Sequence, residues 1–169
     1  MNRPCYRPRM TRLALTSALA LGLLACGGAA PKPAPPAAAP KAPAPPEQAC
    51  FEEASAPRTP RADAPETIVV AHVLVRHTDL RRPEGATRSR GQACLRAREA
   101  REKLLAGAEW ADVVREYSDS GQDTLGSLGR VAPSDLDAAF GAAAFALGVD
   151  ELSHVVETSR GFHVIARTE

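Results

Sequence analysis

Proline is distributed along this chain so that only one stretch can pack a core. Eight of the fifteen prolines fall in Ala29–Pro46, and after Pro65 only Pro83 and Pro133 remain. Ala29–Pro46 holds nothing but Ala, Pro and two Lys. A proline has no amide hydrogen and a fixed φ, so such a run favours extended polyproline II over helix or sheet. At ~3 Å per residue it would reach roughly 50 Å as a semi-rigid spacer. Residues 47–65 keep the same Ala, Pro and charged character and read as its continuation. The expected organisation is therefore a leader over 1–25, a disordered linker over 26–65 and one folded domain over 66–169.

The whole-chain averages conceal these three parts. Apolar residues make up 44% of the chain and aromatics 4%, which suffices for one moderate core. A net charge of +1 makes no case for nucleic acid, and without residues 1–25 the chain carries 17 basic against 20 acidic residues. The leader has Arg3, Arg7, Arg9 and Arg12, then an uncharged run of thirteen residues, Leu13–Ala25. Basic, then apolar, then small is the order of a signal peptide, and the run is too short to span a bilayer as a helix. Met10 is an alternative start, since Met10-Thr11-Arg12 still supplies a basic region. Leu23-Leu24-Ala25-Cys26-Gly27 resembles a bacterial lipoprotein cleavage box, the alternative being a plain secretory signal. The resemblance implies cleavage before Cys26, acylation of that residue and an anchored protein on the periplasmic or cell-surface side of the membrane. Gly27 stands where Asp would retain a lipoprotein in the inner membrane, so the outer membrane is expected if the cell has one.

From Glu66 on the pattern changes. Thr67–Arg76 is a β-branched run with Val69, Ala71, Val73 and Val75 on one face and Ile68, Val70, His72, Leu74 and Arg76 on the other. A strand apolar on both faces belongs in the centre of a sheet. Polar residues 78–90, with Pro83 and Gly85, read as a loop. Ser89–Ala106 reads as a helix with a stripe of Ala93, Ala97, Ala100 and Leu104, stopped by Gly107. Glu109–Tyr117 reads as a second helix buried through Trp110, Val113, Val114 and Tyr117. Ser127–Val131 is a short strand. Leu136, Phe140, Ala143, Ala144 and Leu147 form another helical face, ended by Gly148. Two strands follow, near His154–Thr158 and Phe162–Arg167, joined by a tight turn at Ser159-Arg160-Gly161.

Several of these segments, in order, resemble the parvulin peptidyl-prolyl isomerases. They are His72–His77 (HVLVRH), Tyr117-Ser-Asp-Ser120, Gly126-Ser-Leu-Gly129, Phe140 with Ala144–Leu147, and Gly161–Arg167. The resemblance spans residues 67–169. It leans to the Pin-type branch, because Arg81-Arg82-Pro83 sits in the loop after the first strand. The expectation is a Pin-type domain without the WW module of the eukaryotic enzyme, the anchor and tether taking its place. The resemblance implies an α+β, FKBP-like domain of order β-α-α-β-α-β-β, with a small, mostly antiparallel sheet flanked by helices. It also implies rotation of X–Pro amides in proline-containing polypeptides, by a monomer without cofactor or metal.

Site residues follow position by position. Leu128, Leu136 and Phe140 match the proline pocket, although Leu136 and Phe140 read by themselves as core. His72 and His163 match a hydrogen-bonded imidazole pair under the amide, either catalytic or scaffolding. A metal on His72 and His77 is disfavoured, since residues five apart on a strand face opposite sides. Ser120 stands where the family usually has Cys or Asp, so a neutral hydroxyl replaces a charge, with Asp119 or Asp123 as partial compensation. Arg76, Arg81 and Arg82 match the phosphate-binding positions, and guanidinium forks suit carboxylates equally. The expected preference is an acidic or phosphorylated residue before proline. The alternative is a catalytically weak proline-binding module or chaperone on the same fold. Cys50 and Cys94 can pair in an oxidising compartment, which would pin the tether to the first helix.

Overall fold

The computed structural model describes residues 45–169. The leader, Cys26 and the Ala/Pro run up to residue 44 lie outside the described residues. Among those described, the chain forms α1 (Pro46–Ser55), β1 (Ile68–Val75), α2 (Arg90–Leu105), α3 (Trp110–Tyr117), β2 (Ser127–Val131), α4 (Ala138–Ala144), β3 (Val156–Thr158) and β4 (Gly161–Arg167). One antiparallel sheet runs in the order β2-β1-β4-β3. This is the expected parvulin arrangement, with one helix added in front.

β1 is central, and both of its faces are covered. Val73 and Val75 join Phe162 and Val164 of β4 against the alanine stripe of α2, with Val113, Val114 and Tyr117 of α3 completing that core. Ile68, Val70 and Ile165 point the other way, onto Phe140, Ala143 and Ala144 of α4. The alternation is the period of two dictated by the pleat. α2 starts on a capping box, in which the Ser89 hydroxyl accepts from the Gln92 N–H and the Gln92 side chain accepts from the Ser89 N–H.

Two expectations need correction. Residues 46–55, read as linker, form α1. Its buried side chains are only Cys50 and Ala54, too few to produce an amphipathic period, and what holds it is the Cys50–Cys94 disulfide to α2. Phe51 adds a stacked contact with Phe162 at 6.2 Å, and the Arg90 guanidinium lies 4.1 Å over the Phe51 ring. The segment that follows is also docked, with the Arg61 N–H donating to the Phe145 carbonyl at 3.0 Å. The third expected helix is shorter than its apolar pattern. Pro133–Asp135 forms a separate 3-10 turn, Leu136 is extended, and Asp137 caps α4 by accepting from the Ala139 N–H at 3.0 Å. Leu136 and Leu147 thus flank α4 instead of belonging to it.

Candidate functional site

The face of the sheet under α4 holds the polar centre. His72 of β1 and His163 of β4 sit on adjacent antiparallel strands, and their Nδ1 atoms are 3.1 Å apart. Phe140 meets both rings edge-on, with centroids 5.6 Å from His72 and 5.2 Å from His163. On the far side of His163, Nε2 lies 2.8 Å from the Thr158 hydroxyl, which also accepts the Arg160 N–H at 3.1 Å. A Nδ1···Nδ1 hydrogen bond needs one N–H and one lone pair, so the pair cannot carry two charges. If Thr158 donates to His163 Nε2, then His163 Nδ1–H donates to His72, and His72 keeps its proton on Nε2. The reverse chain leaves His72 Nε2 bare. Burial pushes His72 down to about 4, with the Arg160 charge adding to it. Burial also holds His163 well below the usual imidazole range, aided by the adjacent His72 imidazole and by the Arg160 and Arg76 charges. Both rings are therefore neutral at physiological pH, and His72 presents a single donor or acceptor rather than a charge.

An apolar cavity of about 440 Å³ opens beside this pair, lined by Leu128, Val131, Leu136 and Phe140 together with both histidines, Thr158 and Arg160. Leu128, Leu136 and Phe140, which read equally well as core in the sequence, are thus brought to one wall. Leu136, extended just before α4, packs against the core under α4 and also lines the slot.

A second cavity adjoins the first. It contains His72, Arg76, Ser120, Gly126, Leu128 and Arg160. Gly126 is required there. Its φ is +74°, and a Cβ on it would lie 2.1 Å from the His72 carbonyl oxygen. The Ser120 carbonyl accepts from the Ser118 hydroxyl at 2.7 Å, while the Ser120 hydroxyl has no protein partner among the described residues. The expected compensation by neighbouring acids is not what the geometry provides. Neither Asp119 nor Asp123 lines this cavity. The Asp119 carboxylate accepts the Arg76 N–H at 2.7 Å and pairs with Arg88, so it fixes the base of the arginine loop instead.

The third component is cationic. Arg76, Arg81, Arg82 and Arg160 line a cavity of about 440 Å³ with Glu84 and Ser159. The three expected arginines are brought together, and Arg160 joins them. Arg160 was legible only as part of a turn. It sits where the three cavities meet, placed by the two-residue turn between β3 and β4. That turn closes against β1 because Gly161 has φ +133° and a Cβ there would lie 2.5 Å from the Val75 carbonyl oxygen. Thr158 was also missed; a hydroxyl five residues before His163 on the paired strand was the available signal. His77 lies apart from the site, 5.7 Å from the Phe162 ring on the opposite face. Among the described residues no three His, Cys, Asp or Glu side chains gather as a metal site.

This arrangement can hold a small apolar ring, present polar groups to an adjacent amide and receive an anion one residue away. Comparison with known proteins agrees with that reading. Residues 72–169 match the family described as Rotamase: PPIC-type PPIASE domain. The chain is 32% identical over 118 residues to the peptidyl-prolyl cis-trans isomerase Pin1 of Malus domestica, covering 63% of this chain and 98% of that one. It is 40% identical over 75 residues to the foldase protein PrsA of Bacillus subtilis, covering 43% of this chain but 26% of the foldase. Among solved structures it resembles the peptidyl-prolyl isomerase ESS1 from Candida albicans, with a TM-score of 0.58 and 27% identity over 64% of this chain and 65% of that one.

Proposed function

The chain belongs to the PpiC-type parvulin family of peptidyl-prolyl cis-trans isomerases, and from that premise we propose which bonds it turns, with which residues, and where. The reaction is rotation about an X–Pro amide, whose resonance imposes a barrier of ~18–20 kcal/mol. No covalent bond breaks. The enzyme accelerates rotation by binding the twisted amide better than either planar form.

Leu128, Leu136 and Phe140 take the prolyl ring. His72 and His163, neutral and locked by Thr158, set the polarity beneath the amide without a charge that would favour the planar dipole. Ser120 offers its hydroxyl to the amide. Arg76, Arg81 and Arg82 receive an anionic side chain on the residue before proline, so Glu-Pro and Asp-Pro bonds are preferred and phosphoserine-Pro is accepted. The observation that carries this preference is the position of Arg76, which lines both the cationic cavity and the cavity holding His72 and Ser120.

The clients are exported polypeptides, met by a monomer tethered to the membrane through a lipid on Cys26. The Leu-Leu-Ala-Cys box supports this location, as does the Cys50–Cys94 disulfide, a bond that persists in oxidising compartments. The foldase PrsA, by its name, supports a role in folding. A second reading, a groove that binds such segments with little turnover, is favoured by Ser120, because a hydroxyl lacks the charge that Cys or Asp would place beside the carbonyl.

The test is NMR exchange spectroscopy on Glu-Pro, phosphoserine-Pro and Ala-Pro peptides with the full chain. We expect acceleration of all three, about tenfold greater for the anionic peptides, and loss of that difference in Arg76→Gln (tenfold being about 1.4 kcal/mol). Equal turnover of neutral and anionic peptides would reject the preference. Binding without acceleration, with activity appearing in Ser120→Cys, would establish the second reading. A mature mass beginning at Cys26 with acyl chains, absent in Cys26→Ser, tests the anchor.

A further inference from the structure

The arginine cavity contains an acid of its own. Among the residues lining it, Glu84 is the sole carboxylate, and it forms an ion pair with the Arg76 guanidinium. Arg81, Arg82 and Arg160 have no carboxylate partner among the described residues. Arg76 is also the deeper partner of that pair, its side chain 14% exposed against 58% for Glu84. The carboxylate therefore occupies the guanidinium that connects the cationic cavity to the amide-binding one, while its own side chain stays largely in solvent and free to leave.

The backbone is bent to put it there. Glu84 has φ +46° and Gly85 has φ +83°, in a turn closed by the Ala86 N–H donating to the Pro83 carbonyl at 3.0 Å. Two consecutive left-handed residues define a turn in which Gly, Asn and Asp normally stand. A glutamate in the first of these positions is uncommon, and residues held in such conformations concentrate at sites where the conformation has a use. Here the reversal folds the side chain of Glu84 back onto the end of β1.

We infer that Glu84 is an internal occupant of the anion subsite, a specificity-determining residue that a substrate's anionic side chain must displace from Arg76. The inference rests on the reading that this cavity receives the residue before proline. Its consequence is that the wild-type chain binds anionic X–Pro segments more weakly than its arginines alone would allow. A neutral residue before proline does not compete for Arg76, so Glu84 sets how far anionic segments are favoured over neutral ones. The contact is partly solvated, so added salt weakens it.

The experiment compares the full chain with Glu84→Gln, Arg76→Gln and the double variant, measuring KM and kcat separately for Glu-Pro and Ala-Pro peptides. Expected is a KM for Glu-Pro about five- to tenfold lower in Glu84→Gln, with kcat held and the Ala-Pro KM moving less than twofold. The effect should vanish in the Arg76→Gln background, as coupled residues require, and shrink at high salt. Glu84→Ala serves as the second variant, since it removes the carboxylate without retaining its shape. Inorganic phosphate, titrated against the arginine side-chain signals, should likewise bind the Glu84 variants more tightly. A wild type that prefers Glu-Pro, with KM unmoved in both Glu84 variants, would overturn this inference and leave the anionic preference standing. Equal shifts for Glu-Pro and Ala-Pro would overturn it too, as a general disturbance of the loop. If no form distinguishes the two peptides, the anion reading itself falls, and this inference with it.

Discussion

Phe162 and His163 are neighbours in β4 with opposite surroundings. Phe162 faces α1 and α2, stacked on Phe51 and enclosed with Val73, Val75 and Val164. His163 faces α4, hydrogen-bonded to His72 and Thr158 and opened to a cavity. One face of the sheet is apolar, helix-covered and covalently stapled. The other has polar groups at its centre and space beside them. A strand that alternates every residue lets a single segment do both, so the first face can supply stability that the second gives up to binding.

Phenylalanines on the two faces should separate these roles. Phe162→Ala removes a fully buried ring and is expected to lower unfolding free energy by roughly 3–5 kcal/mol. Phe140→Ala should cost less stability but reduce kcat/KM by about 10–100-fold, or about 1.4–2.7 kcal/mol of barrier. Urea unfolding and peptide exchange on both variants would break the comparison if the two losses were interchanged. The staple comes next. Replacing both Cys50 and Cys94 by Ser should cost about 2–4 kcal/mol in unfolding free energy. At temperatures where the variant stays folded, its kcat/KM should remain within about twofold of wild type, a change of about 0.4 kcal/mol. A loss matching that of Phe140→Ala would mean the stapled face also shapes the site.

The last effect is a slope, small near neutral pH. Burial lowers His72 from 6.5 to about 4 in the folded chain, and burial also holds His163 well below 6.5. Between those values the unfolded chain binds more protons, so stability is full above pH 6.5 and falls as the solution is acidified towards pH 4. His72 contributes up to about 1.4 kcal/mol per pH unit in that window, and His163 acts in the same direction. Turnover should be flat from pH 6.5 to 8, because neither ring changes charge there. Denaturation midpoints that hold constant from pH 7 to 5 would show that neither ring is buried neutral.

Much of the fold was legible because its signals are local. The β-branched run of β1 and the alanine stripe of α2 each report their own burial. The histidine pair became legible through the order of the surrounding segments, not through either residue. What stayed hidden depends on distant contacts. α1 carries prolines at its start and few apolar residues, and only the bond to Cys94 and the stacking on Phe162 make it a helix worth keeping. Arg160 occupies a turn in sequence and a junction in space. The Pro83–Ala86 reversal that brings Glu84 to Arg76 has no periodic signature at all.

The Cys50–Cys94 bond has a mechanical consequence. It joins the first helix to α2 across 44 residues, and the enclosed segment contains β1 and the arginine loop. Tension applied at the amino-terminal end of the domain would pass from α1 through sulfur into α2, bypassing that loop of chain. Pulled from that end, the covalent segment bearing His72 and the arginine loop lies off the load path, whereas His163, which lies beyond Cys94, stays on it.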